Sequence, residues 1–375
     1  MADAASQAVL IKESFAKVEH AADQVAAHFY AALFLDSPEL RDLFPTMMDV
    51  QRGRLLHALV RVVQSVDSPV LLERYLGELG YDHRKFGVLA GHYDAVGRAL
   101  VGAIREFTHD GSFTGEVEEA WIAAYAFLAE RMIAGAGAAA DRPAWWSADV
   151  VRHERVTPEI AVLTLKPELP YDYVPGQYLS LETGRRPRLW RTYSIANAPR
   201  PDGTLELHVR AVPGGWVSTA LVAHTAAGDT VRLGPPMGSM GVEPGGGPDV
   251  LLVAGGTGLA PLKAIVERLA AEGTTRTVHL FVGARAADEL YQLDQLMRLS
   301  GRHPWLTVVS AVSHDPDHAG RRGWISDVTA DHGRWSQHDV YLSGPPAMIR
   351  TTIERLRTRQ VPLRHIHFDP FGDTP

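Results

Sequence analysis

Four short stretches combine glycine, proline, a cation and small hydroxyls in ways that suit phosphates and flat heterocycles. The first, Gly255-Gly256-Thr257-Gly258-Leu259-Ala260-Pro261, directly follows the apolar run Leu251-Leu252-Val253-Ala254. Glycines at the end of a buried strand let backbone approach a pyrophosphate, whose charge favours the start of the next helix. Gly256, Thr257, Gly258 and Pro261 are therefore candidates for holding a dinucleotide. The spacing is not Gly-x-Gly-x-x-Gly, and a tight turn without ligand has the same composition. A second strand end, Ser343-Gly344-Pro345-Pro346, puts Gly344 and Pro345 at the carboxyl edge of the same sheet, where ligands of such folds bind.

The third stretch is Arg191-Thr192-Tyr193-Ser194. Arg191 offers a planar fork for a phosphate, while Tyr193 and Ser194 can stack on and hydrogen-bond a flat ring. The alternative is an ordinary barrel strand. Downstream, Gly214-Gly215-Trp216-Val217-Ser218 is a loop entering a short helix, a second phosphate seat that makes Gly215, Val217 and Ser218 candidates. Arg285, in Val282-Gly283-Ala284-Arg285, follows a strand and either pairs with a 2′-phosphate or is a solvated loop charge. The choice between NADH and NADPH is open.

Three kinds of element must position these residues. Residues 9–35, 51–66, 88–107 and 121–133 carry apolar side chains at helical spacing, with Ser37-Pro38-Glu39 and Ser68-Pro69 as helix starts. Residues 135–143 are rich in Ala and Gly and end on Pro, as in a linker. Short β-rich runs at 150–151, 161–165, 178–181, 205–209 and 230–233, separated by turns, predict a small antiparallel barrel. After Gly245-Gly246-Gly247-Pro248, strands and helices alternate, which specifies a doubly wound α/β sheet. The expected fold is multidomain: an all-α unit over 1–138, an antiparallel β-barrel over 147–245 and an α/β unit over 246–375.

A length of 375 residues fits two or three domains, and 46% hydrophobic with 22% charged residues fits a globular chain. A net charge of −7 argues against a nucleic-acid binder. No apolar run is long enough for a membrane span and no signal peptide is apparent, so a cytoplasmic location is expected. The absence of cysteine excludes disulfides, thiolate nucleophiles and thiolate metal ligands. Oligomeric state is open.

The four stretches stand in the order seen in flavin-dependent reductases of the ferredoxin-reductase superfamily. The closing Phe368-Asp369-Pro370-Phe371-Gly372 resembles their terminus, which makes Phe371 the aromatic cover of the flavin ring. Where that family usually carries Cys-Gly-Pro, this chain has Ser343. The helical third resembles a bacterial globin through Phe29-Tyr30, Leu43-Phe44-Pro45, Gln51-Arg52, Asp82-His83-Arg84-Lys85-Phe86, His92-Tyr93 and Ala120-Trp121. The whole chain resembles a flavohaemoglobin, a globin fused to an FAD- and NAD(P)-binding reductase.

That resemblance implies haem b, FAD and NAD(P)H as cofactors, with O2 and NO as small-molecule partners. His83 would ligate iron, with His92 as its rival; Phe44 would pack on the haem face. Tyr30 and Gln51 would be distal donors and Leu55 the apolar wall, although a one-turn slip would put Leu55 at the distal position. Tyr93 fits the proximal tyrosine. The proximal glutamate position falls near Ala136, where no acid stands, and Glu130 lies too early in the helix. The activity implied is nitric oxide dioxygenase: electrons pass from NAD(P)H through FAD to haem, and NO is oxidised by haem-bound O2 to nitrate. The alternatives are an oxygen carrier or redox sensor with a built-in reductase, and a reductase serving a separate electron acceptor.

Overall fold

The computed structural model describes residues 4–243 and 245–370. The chain divides into two compact units that meet in sequence between Trp145 and Trp146. The first is all-helical: α1 (Ala4–Val18), α2 (Ala22–Asp36), α3 (Asp49–Ser65), α4 (Pro69–His83), α5 (His92–Glu106) and α6 (Gly115–Gly137). Phe29, Leu33, Leu100, Ile104 and Trp121 sit in its core. The periodic stretch 9–35 is two helices, because the polar turn Glu19–Ala21 buries none of its residues. Pro38 opens a 3-10 helix, Pro38–Leu43, and neither Ser37 nor Ser68 makes a side-chain cap bond.

The expected linker begins too early, since Gly135 to Gly137 belong to the last turn of α6. A Cβ on Gly135 would overlap the backbone of Gly77, and one on Gly80 would overlap the carbonyl of Met132. These glycines set the spacing of α4 and α6 rather than loosening the chain.

The second unit opens with a nearly closed antiparallel barrel. Its strands are β1 (Trp146–Arg155), β2 (Ile160–Pro167), β3 (Tyr178–Thr183), β4 (Arg191–Ser194), β5 (Leu205–Arg210) and β6 (Thr230–Leu233), ordered β4-β3-β6-β1-β2-β5. A bridge between Ile195 and Leu207 ties the outermost strands together. Along β5, Leu205, Leu207 and Val209 join the barrel core. By strand alternation Glu206, His208 and Arg210 point the other way. Helix α7 (Trp216–Ala223) lies between β5 and β6 in sequence.

A five-stranded parallel sheet follows: β7 (Asp249–Gly255), β8 (Val278–Ala284), β9 (Leu306–Val312), β10 (His338–Gly344) and β11 (Ile366–Pro370), ordered β11-β10-β7-β8-β9. Its helices are α8 (Leu259–Ala271), α9 (Leu293–Arg302), α10 (Ile325–His332) and α11 (Pro346–Thr358). The sequence pattern did not reveal α10 or β11, which are eight and five residues long. At eight residues α10 lies below the length at which helical periodicity identifies an element, and β11 reads only as the closing motif. Among the described residues no helix is long and apolar enough to cross a membrane.

The α4–α6 contact generates an expectation. Gly80→Ala places a methyl group against backbone that cannot swing aside, so the helical unit loses about 1–3 kcal/mol. Thermal unfolding followed by circular dichroism should show a lowered first transition.

Candidate functional site

Helix α4 ends on His83, whose Nδ1 lies 2.8 Å from the Leu79 carbonyl one turn back. A carbonyl only accepts, so Nδ1 carries the proton and Nε2 keeps a lone pair for a metal. Burial lowers the His83 pKa against the opposing pull of Asp82, which favours this neutral form. The ring meets Phe86 edge-on at 5.5 Å. His92 accepts the Leu89 amide at 3.2 Å in the first turn of α5.

Tyr30 is 5% exposed, edge-on to Phe44 at 5.5 Å and stacked on Phe34 at 5.8 Å. Its hydroxyl donates to the backbone carbonyl of Gln51 over a long 3.4 Å. Burial raises its pKa, so the proton stays in place at neutral pH. The structure thus brings Tyr30, Phe44 and Gln51 together. Leu55, one turn beyond Gln51 on α3, packs against the same core while remaining half-buried. These half-exposed apolar groups, with a free imidazole lone pair, fit a haem.

Tyr93 packs beside Leu72, Leu76, Met132, Phe127 and Leu128. Burial raises its pKa. Ala136 lies half-buried on α6, while Glu130 is exposed and its carboxylate lies 3.9 Å from Arg131. The acid at 130 therefore faces solvent.

The second unit holds the other candidates. Tyr193 is strongly desolvated, which raises its pKa. Ser194 is buried and its Oγ has no protein partner. A buried hydroxyl without a partner costs free energy unless a ligand satisfies it. Arg191 donates to the Trp190 carbonyl at 2.9 Å with the rest of its fork uncommitted among the bonds seen. Gly215 caps α7, with Ser218 Oγ donating to its carbonyl at 3.1 Å. A Cβ at 215 would press on Val212 and on Ser218 Oγ. Val217 is buried in the barrel core. An orphaned hydroxyl, a half-buried tyrosine and a helix start suit FAD.

The two remaining loops interlock. A Cβ at Gly258 would overlap the Ser343 carbonyl, and one at Gly344 would lie 3.0 Å from the Gly255 amide nitrogen. Gly256 has a φ of 55°, the left-handed region that glycine tolerates. Thr257 beside it is half-buried, and Pro261 is buried in the first turn of α8. Ser343 is fully buried with its Oγ unpartnered, and Pro345 precedes α11. The register Gly344↔Pro370 brings β11 to this edge. Phe371 itself lies outside the described residues. Arg285 is an exposed residue held by Glu289, at 2.7 and 3.1 Å. This ion pair raises the Arg285 pKa.

Sequence reasoning overlooked Lys263, Glu206, His208 and Tyr291, which form a buried polar cluster between the barrel and α8. The one available signal was a lysine inside the apolar run Leu259-Ala260-Pro261-Leu262-Lys263-Ala264-Ile265-Val266.

Three family descriptions match the chain in order: globin over residues 27–132, oxidoreductase FAD-binding domain over 147–241 and oxidoreductase NAD-binding domain over 252–354. A flavohemoprotein of Bordetella pertussis is 29% identical over 396 residues, covering 97% of each chain. A reductase component of the naphthalene 1,2-dioxygenase system of Pseudomonas putida is 34% identical over 224 residues, 59% of this chain and 67% of that one. A solved flavohemoglobin from Malassezia yamatoensis superposes with a TM-score of 0.82 at 19% identity, covering 99% of this chain and all of that one.

The fold and the matched domains define a globin joined to an FAD- and NAD-binding reductase, an oxidoreductase whose cofactors are haem, FAD and a nicotinamide. The chain belongs to the flavohaemoglobin family. Its reductase carries out the electron transfer of that family.

The Arg285–Glu289 pair bears on the coenzyme. On the reading in which Arg285 meets a 2′-phosphate, that phosphate competes with a carboxylate already in place. Glu289→Gln frees the guanidinium and should raise kcat/KM for NADPH relative to NADH by about tenfold, the equivalent of one charge-assisted hydrogen bond. Parallel steady-state assays with both coenzymes measure the ratio.

Proposed function

We propose that the chain is a nitric oxide dioxygenase, converting nitric oxide and dioxygen to nitrate at the expense of NAD(P)H. The observation carrying this reading is the Tyr30 hydroxyl. It sits among Phe29, Phe34 and Phe44, with a long 3.4 Å bond to the Gln51 carbonyl and the Gln51 side chain beside it. A protonated hydroxyl in apolar surroundings with a weak partner donates readily to a small polar ligand.

In this reading His83 holds iron through Nε2, Phe44 and Leu55 supply apolar contact, and Gln51 is the second distal donor. Tyr93 lies on the proximal side. Arg191, Tyr193, Ser194, Gly215, Val217 and Ser218 hold FAD. Gly256, Thr257, Gly258, Pro261, Gly344 and Pro345 hold the nicotinamide coenzyme. Residues 1–138, 147–245 and 246–375 are the corresponding domains. When bound, these groups supply hydride acceptance, one-electron transfer and oxygen chemistry. The chain orients them: Leu79 fixes the His83 tautomer, Ser194 is placed to donate to or accept from a ring atom, and Tyr193 excludes water beside it.

One observation favours a second reading, an oxygen carrier or sensor with its own reductase. The partner of His83 Nδ1 is a neutral carbonyl, and Glu130 faces solvent. A carbonyl raises ligand basicity less than a carboxylate does.

Nitric oxide consumption by the haem- and FAD-loaded chain, followed with an electrode, separates the two. On the dioxygenase reading NADH accelerates aerobic consumption. Tyr30→Phe then lowers it about a hundredfold to a thousandfold, as removal of one preorganised donor does, and His83→Ala abolishes it while flavin-dependent ferricyanide reduction survives. Background consumption together with long-lived oxygen binding would support the carrier instead.

A further inference from the structure

Lys263 is 1% exposed, although lysine is almost never buried without partners. Its ammonium donates to Glu267 Oε1 at 2.6 Å, Glu206 Oε1 at 3.0 Å and the Ala196 carbonyl at 3.1 Å. All three donors are thereby used. Glu206 also accepts from Arg200 at 3.0 Å and lies 3.1 Å from His208 Nε2. The other nitrogen of His208, Nδ1, is 2.8 Å from the Tyr291 hydroxyl. Glu267 additionally accepts the Ala198 amide at 3.0 Å.

The proton positions follow from the partners. A carboxylate only accepts, so His208 Nε2 carries hydrogen. Burial disfavours the imidazolium and outweighs the pull of Glu206. Nδ1 of the neutral ring therefore accepts from Tyr291. Burial alone would raise the Glu206 pKa, yet His208 and Lys263 hold it well below the usual carboxylate range. Two cations, Lys263 and Arg200, balance two carboxylates, Glu206 and Glu267, around a neutral histidine and tyrosine.

The placement matters more than the charge balance. Ala196 to Ala198 continue the chain directly from Ser194, the end of the flavin stretch. Lys263 and Glu267 lie on α8, the helix that begins at the Gly256–Gly258 turn. Tyr291 follows β8 and stands one residue from Leu290, the C-cap of the turn that holds Glu289. Interfaces between domains of one chain are usually wet, polar and mobile. This one is buried at its centre and joined by directional, charge-assisted bonds.

We propose that Lys263, Glu206, Glu267, His208 and Tyr291 form a positioning network that fixes the flavin stretch against the nicotinamide turn and so sets the distance for hydride transfer. It rests on the flavin and nicotinamide roles given above, and is independent of any nitric oxide chemistry. Loss of the network leaves both coenzymes bound and misaligns them.

The test uses the full haem- and FAD-loaded chain with Lys263→Met and, in case that variant does not fold, Tyr291→Phe, which keeps every charge. The assay is NADH-dependent ferricyanide reduction with protiated and 4-deuterated coenzyme, alongside amide hydrogen exchange and FAD content. The expected result for Lys263→Met is a fall in kcat of about tenfold or more with KM changed by less than about threefold, a larger deuterium isotope effect and faster exchange at Ala198. Tyr291→Phe should give a smaller loss of kcat with the isotope effect raised in the same direction. Unchanged kcat and isotope effect in a folded, FAD-loaded variant would overturn the proposal, as would a loss of activity that merely tracks loss of FAD. Failure of nitric oxide consumption in the parent chain would leave this result untouched.

Discussion

Where β7 and β10 end, backbone lies directly on backbone. Gly258 leaves no room for a side chain beneath the Ser343 carbonyl, and a Cβ on Gly344 would lie 3.0 Å from the Gly255 amide nitrogen. The two loops at the carboxyl edge of the sheet are thus one packed body. Each loop is backed by the other. The first turn of α8 grows from this body, and with it Lys263 and Glu267. The barrel contacts meet a helix whose start is already fixed.

That constraint explains how far the sequence could be read. The glycine-rich stretches read as candidate phosphate loops, and their order along the chain pointed to the reductase, whose domains the family matches show. Nothing in either stretch announced that they touch, because their glycines are 86 residues apart between Gly258 and Gly344. The same holds for Gly77, Gly80 and Gly135. Read along the chain, Gly135 marked the start of a linker; in the fold it is a helix contact. Glycine composition distinguishes neither case from flexibility. The buried cluster was harder still, since Glu206, Lys263 and Tyr291 meet only once β5, α8 and the segment after β8 are assembled. Alternation along β5 placed Glu206 and His208 outside the barrel but said nothing of what covers them.

The helical unit shows the opposite balance. Tyr30, Phe44 and Gln51 are distant in sequence, yet the globin resemblance grouped them, and the fold brings these three together. The structure adds the direction of the bonds. Gln51 accepts from the Tyr30 hydroxyl at its backbone carbonyl, and His83 is braced by a carbonyl rather than an acid. Both details set proton donors and acceptors, and neither is encoded in residue type alone.

Ser343 stands at the nicotinamide edge where the related reductases usually carry a cysteine, and the chain has no cysteine elsewhere. A hydroxyl at that position is not ionised at physiological pH and is a poor nucleophile toward oxidants. Sulfenylation, S-nitrosylation, glutathionylation and mixed disulfides all begin at a thiolate. None of them has a foothold anywhere on this polypeptide. On the activity proposed above, the protein works among reactive nitrogen species that silence thiol enzymes, and it offers them no thiol to modify.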